Sequence, residues 1–159
     1  MIEAKPKSWE RSHAFRLPGE NRGPGLVAVT WCTHERRLIQ ADKTTISKAL
    51  DEDLAKSSRD GHAKVVVVCV MPDHVHLMLS MDGQGAALWE YVKVWKGLWT
   101  KRLTQEQGKQ FWQRTFYDHW MRRDEGRKYA SYIVGNPVRK GFVKDWREYP
   151  YTRVYMNFL

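Results

Sequence analysis

Two histidines separated by one residue, His74 and His76, open the apolar run His74-Val75-His76-Leu77-Met78-Leu79 just after Met71-Pro72-Asp73. Strand side chains alternate faces with a period of two, so both imidazoles point to one side of a sheet and Val75 to the other. Two neighbouring imidazoles can hold one divalent metal ion, provided a third ligand comes from elsewhere in the chain. The plainer reading is a pair of strand histidines satisfied by ordinary hydrogen bonds. Pro72 favours the metal site: proline lacks the N–H a ladder needs and marks the start or edge of a strand. The pair then lies near a sheet boundary, where an ion has access.

A second group of chemically capable residues precedes Pro137, in Tyr129-Ala130-Ser131-Tyr132-Ile133-Val134-Gly135-Asn136. Tyr132 and Asn136 are four apart and share a helix face. The Asn136 carbonyl oxygen suits a hard ion such as Mg²⁺ or Mn²⁺. A tyrosine one turn away from it can attack a phosphodiester lying on that metal. Tyr129 and Tyr117 are the alternative nucleophiles; the plainer role is packing for Tyr129, and packing or DNA contact for Tyr117. Asp73 is either a carboxylate that orients a ligand histidine or a member of the Pro-Asp turn. His119 is either a phosphate contact or a core histidine.

The charge supports a polyanionic partner. Of the net +9, residues 1–83 carry 12 Lys and Arg against 11 Asp and Glu, whereas residues 84–159 carry 15 against 7. Net charges of +1 and +8 in the two halves suggest a polyanion partner on the second. Arg114, Arg122, Arg123, Arg139 and Lys140 are the candidate phosphate contacts, against the alternative of a solvated basic face. Aromatic residues alternate with cations in Trp95-Lys96, Trp99-Thr100-Lys101-Arg102 and Phe111-Trp112-Gln113-Arg114. Bases stack on rings while cations follow phosphates, so this pattern suits single-stranded nucleic acid, although tryptophans of this kind also build cores.

Composition bounds the rest. With 159 residues and 42% apolar content, the chain makes one domain with a substantial core. It has no apolar run long enough to span a membrane and no apolar leader, which predicts a cytoplasmic protein. Cys32 and Cys69 fall in strand-like runs and are expected to be buried and reduced. Residues 1–24, rich in Pro and Gly, read as an irregular arm, and residues 25–159 as the single domain. Strand composition over 26–33 is followed by a charged stop, His34-Glu35-Arg36-Arg37. A helix follows over 44–58, then strands over 64–71 and 74–81, whose tight Pro72-Asp73 connection predicts antiparallel pairing. A second helix over 86–104 buries Trp95 and Trp99 and leaves Lys93 and Lys96 outside. A strand near 115–117 and a helix over about 125–135, capped near Asp124, complete a β-α-β-β-α-β-α order. That order predicts an α+β domain with an antiparallel sheet and its helices on one face.

Three segments together carry a resemblance: Met71-Pro72-Asp73-His74-Val75-His76, Phe116-Tyr117-Asp118-His119-Trp120-Met121-Arg122, and Tyr132-Ile133-Val134-Gly135-Asn136-Pro137-Val138-Arg139-Lys140-Gly141. From about Leu26 to Thr152 the chain resembles the single-tyrosine transposases of the HUH nuclease superfamily, most of all the REP-associated tyrosine transposases of bacteria. The resemblance implies a ferredoxin-like fold and cutting of single-stranded DNA. It implies that His74, His76 and Asn136 bind Mg²⁺ or Mn²⁺, and that Tyr132 is the nucleophile forming a 5′-phosphotyrosine. Asn136 stands where some relatives carry Gln. Hairpin DNA is the implied substrate, with the protein acting as a monomer or homodimer. Two other functions compete: a nucleic-acid-binding regulator that kept the fold without the chemistry, and a metal-dependent hydrolase in which Tyr132 is structural.

Overall fold

The computed structural model describes residues 23–54, 60–104, 109–122 and 124–156. The irregular arm expected over 1–24 lies outside these residues except for Gly23 and Pro24, and Arg123 lies outside them too. The elements are β1 (Pro24–Cys32), α1 (Lys43–Lys48), β2 (Ala63–Met71), β3 (His74–Asp82), α2 (Leu88–Leu103), β4 (Tyr117–Met121), α3 (Gly126–Val134), α4 (Asn136–Arg139) and β5 (Thr152–Val154). One five-stranded sheet runs in the order β4-β1-β3-β2-β5, with every neighbouring pair antiparallel. Its first four strands have the ferredoxin-like order, so the expected α+β class and strand pairing are correct.

The two faces of the sheet are built differently. Val27, Val29 and Trp31 of β1, Val68 and Val70 of β2, and Val75, Leu77 and Leu79 of β3 point to one side. There they meet Ile46 of α1 and Tyr91, Val92, Trp95 and Trp99 of α2. Leu26, Val67, Cys69, Met71 and Met78 point to the other side and are covered by Ala130, Ile133 and Val134 of α3. The expectation that all helices share one face is therefore corrected. An amphipathic pattern shows that a helix buries a stripe, not which side of the sheet receives it.

A β-bulge at Val66 reconciles the four-valine run of β2 with this arrangement. The extra residue shifts the alternation, so that Val68 and Val70 stay in the α1–α2 core while Cys69 comes opposite His76. Both cysteines are free and buried, as expected.

The tryptophans are core. Trp95 and Trp99 are fully buried and Trp112 nearly so, which overturns their reading as base-stacking platforms. Trp31 packs edge-on to Trp99 and Trp112 with ring centroids 5.8 and 6.2 Å away. The Trp99 indole N–H donates at 3.2 Å to the carbonyl of Ala49, at the start of the π-helical turn (Ala49–Asp53) that continues α1. Lys96 is not on a free outer face: its ammonium donates to the carbonyls of Gln113 and Thr115 and ties down the segment leading into β4. Replacing Trp99 by Ala should cost about 3–5 kcal/mol, a loss readable as a lower denaturant midpoint. A midpoint shift under about 1 kcal/mol would contradict the packing described.

Glu125, next to Asp124, takes the N-cap position of α3, and its carboxylate accepts from the Arg122 backbone N–H at 2.9 Å rather than from the helix. One strand stands outside the expected order: β5 pairs with Val67–Cys69 of β2.

Candidate active site

The face covered by α3 carries the site. His74 and His76 stand on central strand β3, opposite Cys32 and Thr30 of β1 and Met71 and Cys69 of β2. Alternation puts both rings on one side as expected, and their Nε2 atoms face each other 3.1 Å apart. The other nitrogen of each ring is tied. His74 Nδ1 lies 2.5 Å from Asp73 Oδ1, and His76 Nδ1 lies 2.8 Å from Thr30 Oγ1. In the tautomer whose Nδ1–H groups face these oxygens, both Nε2 atoms keep a lone pair available 3.1 Å apart.

That spacing fits a metal ion. Two donor atoms of one octahedral ion, each about 2.1 Å from it and at right angles, lie about 3 Å apart. Burial holds both imidazoles below their usual pKa, so they are neutral at pH 7, the form that ligates. His76 is pushed down to about 3 by burial, with the charges of His74, Arg139 and Arg36 adding to it. The same 3.1 Å also suits one N–H···N bond from His76 to His74, with the Thr30 hydroxyl donating to His76 Nδ1. Among the described residues no third His, Cys, Asp or Glu completes a cluster around the pair. Among the described residues, a third protein ligand is then of another type, such as an amide oxygen.

Asp73 is more than a turn residue, because its second oxygen pairs with Arg36 Nε at 2.9 Å. Arg36 sits in the loop after β1 that the sequence presents only as a charged stop. Glu35 and Arg36 both have left-handed backbones, φ 54° and 58°, which for non-glycine residues cost on the order of 1 kcal/mol or more each. The surroundings hold them there. The Arg36 N–H donates to the Thr33 carbonyl, and the Thr33 hydroxyl bridges the carbonyls of Arg37 and Asp73. No spacing or composition signal marks this arrangement.

Tyr132, half-buried on α3, has its ring centroid 6.3 Å from that of His76. A pocket between β1, β4 and α3 is lined by Thr30, His76, Tyr117, His119, Tyr129 and Tyr132. The sheet register explains the grouping: Thr30 pairs with Tyr117 and Ala28 with His119, so all share the α3 side. His119 stacks on Tyr129 at 4.8 Å. The two rival tyrosines thus line the same pocket, but it is the Tyr132 ring that makes the ring contact with His76.

Asn136 is buried where α3 gives way to α4. Pro137 has no N–H, which leaves the Ile133 carbonyl without its usual helical donor. The Asn136 side-chain amide replaces that donor, reaching the carbonyls of Ile133 and Tyr132 at 3.3 Å each. A carbonyl can only accept, so Nδ2 is the atom facing the helix end and Oδ1 points away from it. The structure therefore brings His74, His76 and Tyr132 together and fixes the Asn136 amide one turn beyond Tyr132.

The cations divide. Arg139 places its guanidinium carbon 4.1 Å from the Tyr132 ring centroid and donates to the Tyr132 carbonyl. Arg36 and Lys140 act electrostatically on His74, so the imidazoles sit in a positive rim. Arg114 and Arg122 are exposed at the two ends of β4.

The domain is an antiparallel ferredoxin-like sheet with paired imidazoles on its central strand and a tyrosine on the covering helix. The family model described as "Transposase IS200 like" matches residues 26–136, and the chain belongs to that family. It is 28% identical over 114 residues to the REP-associated tyrosine transposase of Escherichia coli, covering 69% of this chain and 65% of that protein. It is 30% identical over 105 residues to a Haemophilus influenzae protein named as a candidate transposase of the same kind, covering 56% of this chain and 57% of that protein. The chain thus spans less than two thirds of the length of either relative. A solved structure of a REP-associated tyrosine transposase bound to a REP hairpin shares the fold, with a TM-score of 0.68 at 24% identity over 86% of this chain and 79% of that one. Among the described residues no helix is long and apolar enough to cross a membrane.

Proposed function

We propose that the protein cuts and rejoins single-stranded DNA at a hairpin, using Tyr132 as nucleophile and a divalent ion, Mg²⁺ or Mn²⁺, held by His74, His76 and Asn136. The observation that carries this reading is the facing pair of imidazole Nε2 atoms, 3.1 Å apart, with the Tyr132 ring beside them. When bound, the ion supplies Lewis-acid polarisation of a phosphate oxygen. Asp73 and Thr30 hold the imidazoles in orientation. Arg36 and Lys140 supply the positive field that draws the phosphodiester in. The Tyr132 phenolic oxygen bonds to phosphorus and its proton passes to solvent, while the bond from phosphorus to the 3′ oxygen breaks and that oxygen takes a proton from solvent, leaving as a hydroxyl. The phosphotyrosine conserves the bond energy, so a 3′-hydroxyl attacking it later reseals a strand without a nucleotide triphosphate. Cytoplasmic DNA carrying REP-like hairpins is the proposed substrate, following the relatives' names, and the protein acts on it as a monomer or homodimer.

The test is a denaturing gel of the protein with end-labelled single-stranded hairpins, with Mn²⁺ or with EDTA. The expected result is an adduct that resists SDS and needs the metal. Free cleavage products without an adduct would point to a metal-dependent hydrolase, and binding without cleavage to a regulator.

The ion's support is tested separately. Arg36→Met releases the second oxygen of Asp73, and Mn²⁺ affinity should fall about 10–100-fold. Titration followed by electron paramagnetic resonance reads this without DNA. Unchanged affinity would restrict Arg36 to anchoring its loop.

A further inference from the structure

Arg139 is an exposed residue, and its guanidinium engages the candidate nucleophile. Its guanidinium carbon lies over the Tyr132 ring, 4.1 Å from the centroid, within the range of a cation–π contact. Its Nη2 donates to the Tyr132 backbone carbonyl at 2.5 Å. It therefore grips the same residue at the ring and at the main chain.

Gly135 is what leaves room for this grip. Its backbone is ordinary helix, φ −74° and ψ −9°, a conformation open to any residue. Glycine is disfavoured in such a conformation, so a helix end needs a reason to keep one there. The reason is space: a Cβ on Gly135 would stand 2.8 Å from Arg139 Nη1 and 3.0 Å from the Ser131 carbonyl oxygen. The α4 turn returns Arg139 over this glycine, its N–H donating to the Gly135 carbonyl at 2.9 Å. Turn, glycine and arginine form one device directed at the Tyr132 ring.

We propose that Arg139 is a positioning residue that holds the Tyr132 ring in its attacking orientation, and that Gly135 provides the shelf on which it lies. This rests on the assignment of Tyr132 as nucleophile. A planar guanidinium can stack and donate at once, whereas a lysine ammonium cannot do both in this geometry. Arginine is thus selected over lysine by the ring, and its role differs from that of a phosphate contact.

Two measurements separate these roles. In the first, ¹³C-labelled tyrosine resonances are recorded on the protein without DNA, the Tyr132 signal being identified by its loss in Tyr132→Phe. Arg139→Met and Gly135→Ala should each move that signal, and Arg139→Lys should not restore it. A Tyr132 signal unmoved by both changes overturns the clamp, whether or not the protein cuts DNA. In the second, adduct formation is followed in single turnovers at saturating DNA. Arg139→Met should slow it about 10–100-fold, the scale set by misplacing a reacting group by about an ångström. DNA affinity by anisotropy should change little. Gly135→Ala should slow it in the same way, and the double variant should be no slower than Arg139→Met alone, because one contact is lost in all three. An unchanged saturated rate with weakened binding and a salt slope reduced by about one would make Arg139 a phosphate contact instead. Absence of any adduct in the unaltered protein would contradict the nucleophile assignment and leave the resonance result to decide the clamp.

Discussion

Tyr132→Phe abolishes the covalent protein–DNA adduct and leaves hairpin binding and folding in place. The change removes one hydroxyl from a half-buried ring and keeps the ring's contacts with His76 and Arg139. Stability should therefore shift little, within about 0.5–1 kcal/mol. The effect on chemistry is total, because a phenyl ring has no oxygen to bond to phosphorus. Tyr129 and Tyr117 line the same pocket and are the residues that would rescue the reaction if the assignment were wrong. His119 stacks on Tyr129, and Tyr117 belongs to edge strand β4, so each has a structural role of its own. The adduct in Tyr132→Phe is read on a denaturing gel, and binding by anisotropy on the same preparation. An adduct that persists at the original rate removes Tyr132 from the mechanism.

His76→Ala carries the second-largest effect. His76 is 6% exposed and stands between Thr30 and His74, so its removal deletes one of two facing nitrogens and strands the Thr30 hydroxyl. Losing a residue that merely supports a ligand typically costs 10–100-fold in metal affinity, and losing the ligand itself should exceed that range. Mn²⁺ binding and metal-dependent adduct formation should fall together, while hairpin binding, driven by the basic rim, changes less. His76→Gln, which keeps a polar side chain of similar length, controls for damage to the fold. Should His76→Ala retain full Mn²⁺ affinity, the two imidazoles form only an N–H···N pair and the ion lies elsewhere.

Much of this site is written in local sequence. Pro72 sets the strand start, strand alternation puts His74 and His76 on one side, and a Tyr132-to-Asn136 spacing of four gives one helix face. These rules act within a few residues and survive folding unchanged. The parts that were not legible depend on which elements meet. Nothing in the stretch His34-Glu35-Arg36-Arg37 announces that Arg36 reaches Asp73, because the contact joins the loop after β1 to the β2–β3 turn. The side of the sheet taken by α3 is likewise set by packing, and it decides that Tyr132 comes to the imidazoles. Trp95, Trp99 and Trp112 lie beside cations in sequence, yet burial takes the rings inward, and the Lys96 ammonium goes to backbone carbonyls. Strand β5 has only three residues and is made by the open edge of β2 rather than by its own composition. In sequence Arg139 reads as a candidate phosphate contact; its contact with Tyr132 depends on the return of α4 over Gly135.

The most direct test of the central claim is to digest the gel-purified adduct and locate the nucleotide by tandem mass spectrometry. The account predicts a 5′-linked deoxynucleotide phosphate on Tyr132, in the peptide containing Ala130 to Val134. A nucleotide mapped to Tyr117 or Tyr129, or joined through its 3′ phosphate, would contradict it.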